Sequence, residues 1–272
     1  MTEIKRPQPY IGVSGIGHYE QHGEIIDLAL RERPDLLGYF IMIGIQATGK
    51  TQVLDIPNKR GQMWHPVGDS IAEAASNEDS GFTKPYIHVF FDGKNELEQG
   101  VANVMRRTRH YVQGLQFNGL AWLDTDYRPF LSIFKADYPS QSIILQAGSI
   151  TLDNHSPSEL ADGLKTMPVD YLLLDPSGGE GKQMDLTRIR NYVDEIYQSQ
   201  LPVGVAVSGG LDAQNVEGLI GPLMEEYPDL SCDAEGRLRK GAEGSTMIDI
   251  DAVDAYLVAC KQTIQRHSSS SI

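Results

Sequence analysis

Three apolar runs in the last third of the chain each end in small and acidic residues: YLLLDPSGGEGK (Tyr171 to Lys182), PVGVAVSGGLD (Pro202 to Asp212) and LSCDAEGRLRK (Leu230 to Lys240). A carboxylate directly after a run of leucines, as Asp175 is, would be delivered to the carboxyl end of a buried parallel strand, where it can give or take a proton. Ser208, Gly209 and Gly210 follow the second run in the same way, and Asp233, Ala234 and Gly236 follow the third. Two adjacent loops of small residues can cradle a phosphate with backbone N–H groups, helped by a helix N-terminus. Ser14, Asp92, Asp124 and Asp126 end other apolar runs, and Lys182, Arg237, Arg239 and Lys240 are the nearby cations. An Asp in this position is also a common turn former or helix cap, so each carboxylate has a structural alternative.

The elements that must present these residues alternate between strand-like apolar runs and stretches of helical period. The strands are expected at Tyr10 to Ile16, Tyr39 to Ile45, Tyr86 to Asp92, Gly119 to Asp126, Gln141 to Gly148, Tyr171 to Asp175, Val203 to Gly209 and Leu230 to Ala234. Between them, Ile25, Ile26, Ala29 and Leu30 share a helical face, as do Leu97, Val101, Val104, Met105 and Val112, and Leu186, Ile189, Val193, Ile196 and Tyr197. Ser156 to Thr166 opens with a serine cap, a proline in the first turn and an early Glu. Pro57, Gly61 and Pro66 interrupt the pattern after strand two, which predicts an enlarged loop there. Eight strand-then-helix units predict a single (β/α)₈ TIM barrel over residues 1–266, with a disordered tail at 267–272. An open doubly wound sheet is the alternative.

Composition narrows the partners. The 272 residues carry a net charge of −14 at pH 7, which repels nucleic-acid phosphates and anionic membranes. No apolar run approaches the roughly 18 residues of a membrane span, and the first nine residues have no apolar signal core, so a cytoplasmic protein is expected. Cys232 and Cys260 fall on different elements without metal-ligand spacing, as reduced, buried thiols would. No cofactor or metal is expected, and the oligomeric state is left open.

The final third resembles phosphoribosylanthranilate isomerase, a barrel enzyme of tryptophan biosynthesis. LLLDPSGGEGK is similar to that family's strand-six leucines, Asp and GGTGK-like loop, and SGGL with Asn215 and Val216 to its AGGL loop and Asn-Val. DAEGRLR loosely echoes its DxSSGxE pattern. The resemblance implies an Amadori rearrangement of a phosphoribosyl substrate, with an acid on the ring oxygen and a base at C2. By position, Asp175 is the acid, and burial or the neighbouring Asp233 would raise its pKa. Ser14 stands where the family has the cysteine base, with His18 as a candidate activating partner. The resemblance places the phosphate at Ser208, Gly209, Gly210, Ala234 and Gly236, and implies substrate contacts from Asp233, Asp126 and Lys182. The family's QLHG strand-four end is replaced by LDTD at Leu123 to Asp126, Glu235 stands where a small residue suits a phosphate, and Lys50 or Arg60 are candidates for holding an anthranilate carboxylate.

Two other functions stay open. A barrel without a working base would bind a phosphorylated metabolite without turning it over. GIQATGKT (Gly44 to Thr51) fits the P-loop pattern of a nucleotide hydrolase, although Pro57 follows too soon for the long helix such a site needs. His18 and His22 lack a metal-site context, Arg106, Arg107 and Arg109 read as a solvated helix face, and Trp64 and Trp122 as packing residues.

Overall fold

A computed structural model of the chain describes residues 4–32, 38–57, 65–76, 81–91, 93–177, 184–239 and 248–268. Eight strands pair in chain order: β1 (Tyr10–Ile16), β2 (Phe40–Thr48), β3 (Thr83–Phe90), β4 (Gly114–Phe117), β5 (Ser142–Gly148), β6 (Tyr171–Asp175), β7 (Gly204–Ser208) and β8 (Ser231–Ala234). All are parallel, and β1 closes on β8 with Ile11 opposite Cys232 and Gly12 opposite Asp233. That closure excludes the open sheet. The helices are α1 (Tyr19–Glu32), α2 (Gly49–Gln52), α3 (Ser70–Ala75), α4 (Lys94–Thr108), α5 (Arg128–Asp137), α6 (Ser149–Asn154), α7 (Pro157–Leu164), α8 (Leu186–Gln198), α9 (Val216–Met224) and α10 (Ile250–Ser268).

Side chains alternate across each strand, and the barrel sorts them into two cores. Ile41, Ile43, Ile87, Leu115, Ile143, Leu172, Leu174 and Val205 point outward and pack with the helices. Tyr10, Phe40, Met42, Tyr86, Ile144, Tyr171, Leu173 and Ala206 form a separate cluster inside. The Tyr10 and Tyr171 rings meet edge to face at 5.4 Å, and Phe40 stacks on Tyr86 at 6.4 Å. These rings plug the lower half of the barrel with apolar surface, and Lys84 caps the Phe40 ring at 4.1 Å.

Local signals explain the helix starts. Ser156 accepts from the Glu159 N–H while Glu159 reaches back to the Ser156 N–H, the reciprocal cap expected from the sequence. Asp185 caps α8 by accepting from the Arg188 N–H at 3.2 Å. Val253, Leu257, Cys260 and Ile264 are buried along α10, and both cysteines are free and buried. That helix continues through Ser268, two residues past the expected end of the barrel; 269–272 lie outside the described residues.

Strand four differs from the sequence reading. It is GLQF, Gly114–Phe117, and GLAWLDTD forms the connection that follows it. Gln116 and Gly114 gave the true strand too little apolar character, whereas Leu120 and Trp122 look strand-like because they are buried as loop packing. The Trp122 indole N–H donates to the Gln146 carbonyl at 3.1 Å, so this ring braces the loop. Arg107 is likewise no solvated residue: its guanidinium donates to Asp69 at 2.9 Å and to the Gln52 side chain at 3.0 Å, tying α4 to the β2–α3 connection.

Candidate active site

Above the aromatic plug, the next inward position on almost every strand is polar. Alternation takes Tyr10 to Ser14 by way of Gly12, Met42 to Gln46 by way of Gly44, Tyr86 to His88, Ile144 to Gln146, Leu173 to Asp175, Ala206 to Ser208 and Ser231 to Asp233, while Gln116 stands opposite His88. A cavity of about 670 Å³ opens over this layer at the carboxyl ends of the strands, reached by His88, Gln116, Gln146, Asp175, Ser208 and Asp233. Catalytic residues of this fold are expected at that face.

The two carboxylates are held differently. Asp175 Oδ2 accepts from Gln146 Nε2 at 2.7 Å, and Oδ1 accepts from the Ser177 N–H at 3.0 Å and the Ser177 hydroxyl at 2.8 Å. These donors fix the direction of the carboxylate at the cavity. Asp233 Oδ1 accepts from the Ser14 hydroxyl at 2.7 Å. Burial pushes its carboxyl up to about 8, with Glu235 and Asp175 adding repulsion, while hydrogen bonds from Ser14 and the Ala234 N–H pull the other way. Near neutral pH this carboxyl therefore largely keeps its proton. Gly12 makes room for it, since a Cβ there would lie 2.4 Å from Asp233 Oδ1.

Asp233 is thus a carboxyl raised by its surroundings, and the Ser14 hydroxyl donates to it. His18 is not the partner of Ser14; it lines a separate groove with Glu20 and Glu73. His22 is buried, with Nδ1 3.0 Å from the Ala74 carbonyl.

The opposite wall is neutral. Burial lowers the His88 pKa to about 3, so its imidazole is uncharged at ordinary pH. Gly44 leaves it space: a Cβ at that position would lie 2.5 Å from His88 Cε1 and 2.6 Å from Ser14 Oγ. Gln116 donates to Asn118 at 2.8 Å, and Gln46 donates to Glu235 at 2.6 Å, which also accepts from Arg239 at 2.8 Å. Arg239 thus compensates the carboxylate whose presence at the expected phosphate end was the sequence's difficulty.

At that end, Gly209 and Gly210 adopt φ of 127° and 62°, a left-handed bend that other residues resist. Asn215 donates to the Gly210 carbonyl at 2.8 Å, and Met184 N–H to the Gly209 carbonyl at 3.2 Å, which fixes the loop at the start of α9. Ser208, Gly209, Gly210 and Gly236 all line the cavity. Ala234 is buried and its N–H serves Asp233. Arg237 is paired with Asp212 at 2.8 Å.

Other expected residues lie elsewhere. Asp126 is half exposed and bridged to Arg128 at 2.7 Å, away from the cavity-lining set. Asp124 pairs with His155 at 3.3 Å. Lys182, Lys240, Arg60, Trp64 and Asp92 are outside the described residues. Residues 44–48 of the P-loop-like segment are part of β2, paired to β3 from Gly44 opposite Tyr86 through Thr48 opposite Phe90, so no phosphate-wrapping loop forms there. Lys50 is exposed on the single turn of α2.

Gln46, His88, Gln116 and Gln146 were not singled out from sequence. Their signal was a polar residue at the inward parity of an otherwise apolar strand, visible in IGIQAT, YIHVF and IILQAG once a register is assumed. Relocating β4 has the same effect: its end reads QFNG, Gln116 to Gly119, in place of the LDTD that had seemed to break the QLHG pattern. Among the described residues no three His, Cys, Asp or Glu side chains group as a metal ion requires, and no helix is long and apolar enough to cross a membrane.

No family model and no curated protein matches the chain at the sequence level. Solved structures do match. Phosphoribosyl anthranilate isomerase from Thermococcus kodakaraensis is 16% identical with a TM-score of 0.54, over 93% of this chain and 98% of that one. The chain shares its (β/α)₈ barrel fold. Tryptophan synthase subunit alpha from Legionella pneumophila (13% identity, TM-score 0.57, 96% and 93% covered) and KGPDC from Streptococcus mutans (12%, 0.54, 96% and 99%) are similar to the same extent. At these identities the likeness is one of fold.

Proposed function

We propose that the protein is an acid–base isomerase that converts a phosphorylated aldose or 1-amino-aldose into the corresponding ketose, the reaction type of the phosphoribosylanthranilate isomerases it resembles. The observation that carries this reading is a pair of carboxylates at one cavity in unlike environments, one keeping its proton near neutral pH and one fixed as an acceptor. The Asp233 carboxyl gives its proton to the ring oxygen as the C1–O bond breaks. Asp175 takes the C2 proton, leaving an enediol or enaminol, which becomes the ketose as Asp175 or water protonates C1 and the C2 hydroxyl proton passes to the Asp233 carboxylate. Ser14 is a positioning residue that orients Asp233. The Gly209–Gly210 loop and Gly236 supply backbone N–H groups to the phosphate, which suits a chain of net charge −14 only if the contact is local.

The test is loss of the C2 hydrogen with deuterium uptake at C1 of the ketose from heavy water, followed by NMR with a panel of phosphorylated aldoses and phosphoribosylanthranilate. Wild-type protein is expected to exchange at least one of them, and Asp175→Asn to slow that exchange at least about 100-fold. Exchange with none of them, or an unaffected Asp175→Asn protein, overturns the reading. Ligand binding without exchange would instead favour a non-catalytic barrel, a second reading supported by the absence of a cysteine at the Ser14 position.

A further inference from the structure

Buried polar atoms in a folded chain are nearly always paired, and those left open inside a cavity describe the ligand that would pair them. Among the described residues, His88 Nε2, Gln116 Oε1 and Ser208 Oγ are such atoms on residues lining this cavity. His88 and Gln116 are each only 2% exposed and occupy paired positions on β3 and β4. Ser208 lies beside the Gly209–Gly210 loop, so the other two mark a separate end of the cavity, across the barrel from β7 and β8.

Their chemistry is specific. Gln116 Nε2 is already engaged with Asn118, which leaves its carbonyl oxygen, an acceptor, for the ligand. His88 is a neutral imidazole whose Nε2 donates in one tautomer and accepts in the other. A hydroxyl can donate to Gln116 and either donate to or accept from His88. A carboxylate has no proton to offer and would meet the Gln116 oxygen with repulsion. We propose that His88 and Gln116 are specificity-determining residues that hold the hydroxyl groups of the sugar's far end, so that the substrate is a phosphorylated polyhydroxy compound without a carboxylated aromatic substituent. This deepens the phosphorylated-sugar reading above and rests on it. It parts from the family resemblance, which implies an anthranilate carboxylate in the substrate.

Calorimetric titration of the whole protein with ribitol 5-phosphate, inorganic phosphate and anthranilate tests the assignment without requiring turnover. Ribitol 5-phosphate is expected to bind at least tenfold more tightly than inorganic phosphate, and anthranilate not to bind. His88→Leu removes the tenfold preference while leaving inorganic phosphate binding unchanged, and His88→Gln retains most of it. Gln116→Met, carried through the same titrations, gives the same loss and serves if His88→Leu does not fold. Equal affinity for ribitol 5-phosphate and inorganic phosphate in the wild type overturns the proposal but spares the phosphate site, whereas failure of both ligands to bind overturns the two readings together. An unchanged preference in a folded variant, or anthranilate displacing ribitol 5-phosphate, also overturns it. Binding as expected with no isomerisation of any substrate leaves this assignment standing and removes the catalytic one.

Discussion

On the β6, β8 and β1 side of the barrel mouth, Asp175 and Asp233 are tied by the protein's own donors, from Gln146, Ser177 and Ser14. Across the barrel on β3 and β4, His88 Nε2 and Gln116 Oε1 have no partner among the described residues, although both residues are as deeply buried. A group that moves a proton must be aimed before the ligand arrives, because its reorientation would be added to the barrier. A group that only recognises can wait, and the ligand then supplies the missing hydrogen bond along with its own desolvation. The two sides also differ in charge for one shared reason. Burial raises the Asp233 pKa and lowers that of His88, so a single dehydrated layer makes a proton reservoir of one and a neutral contact of the other.

The sharpest way to break this comparison is through pH. A buried carboxyl whose pKa rises to about 8 holds a proton that the unfolded chain has already lost above about pH 4. Its stabilisation is complete below that lower value and is lost as pH climbs through about 8, with a slope of up to about 1.4 kcal/mol per pH unit. Asp233→Asn should remove that slope, so the difference in unfolding free energy between the two proteins, measured in urea from pH 5 to 9, is expected to fall with pH for the wild type and level off above 8. Parallel curves would mean that the two sides are not electrostatically distinct.

A smaller effect is expected at Gly12. Replacement by Ala places a methyl group 2.4 Å from Asp233 Oδ1 and should cost about 1–3 kcal/mol through the shift it forces on that side chain. Equilibrium denaturation reads it, and the His88 side should keep its ligand affinity. The mildest change is Ser14→Ala, which removes one hydrogen bond worth about 1 kcal/mol. Because that bond lowers the Asp233 pKa, its loss should move the alkaline limb of the pH–rate profile to higher pH. A limb that stays still would detach Ser14 from the acid.

Much of the architecture was legible in the chain because the barrel repeats one rule. Buried parallel strands such as YLLLD announce themselves by composition, and Ser156 caps a helix where the sequence placed it. Strand four was misplaced because Gly114 and Gln116 face inward, leaving only Leu115 and Phe117 to mark it. The site was half legible for a related reason. An Asp after leucines interrupts an apolar run and is conspicuous, whereas His88 and Gln146 sit within such runs and acquire meaning only when strand parity and closure set them on the same rim. Which carboxyl keeps its proton depends on burial and on Ser14 standing 219 positions away in sequence, a quantity no local pattern carries.

Among the described residues, the aromatic plug of Tyr10, Phe40, Tyr86 and Tyr171 closes the lower end of the barrel, and the cavity opens at the other. A ligand that enters and leaves by that open end passes Phe90 and Ile150, two exposed apolar side chains at the cavity rim. Arrival and departure are therefore mutually exclusive events. Under the proposed isomerisation, a product released from such a vessel would compete directly with the next substrate, so throughput would follow the ratio of the two compounds as much as the amount of either.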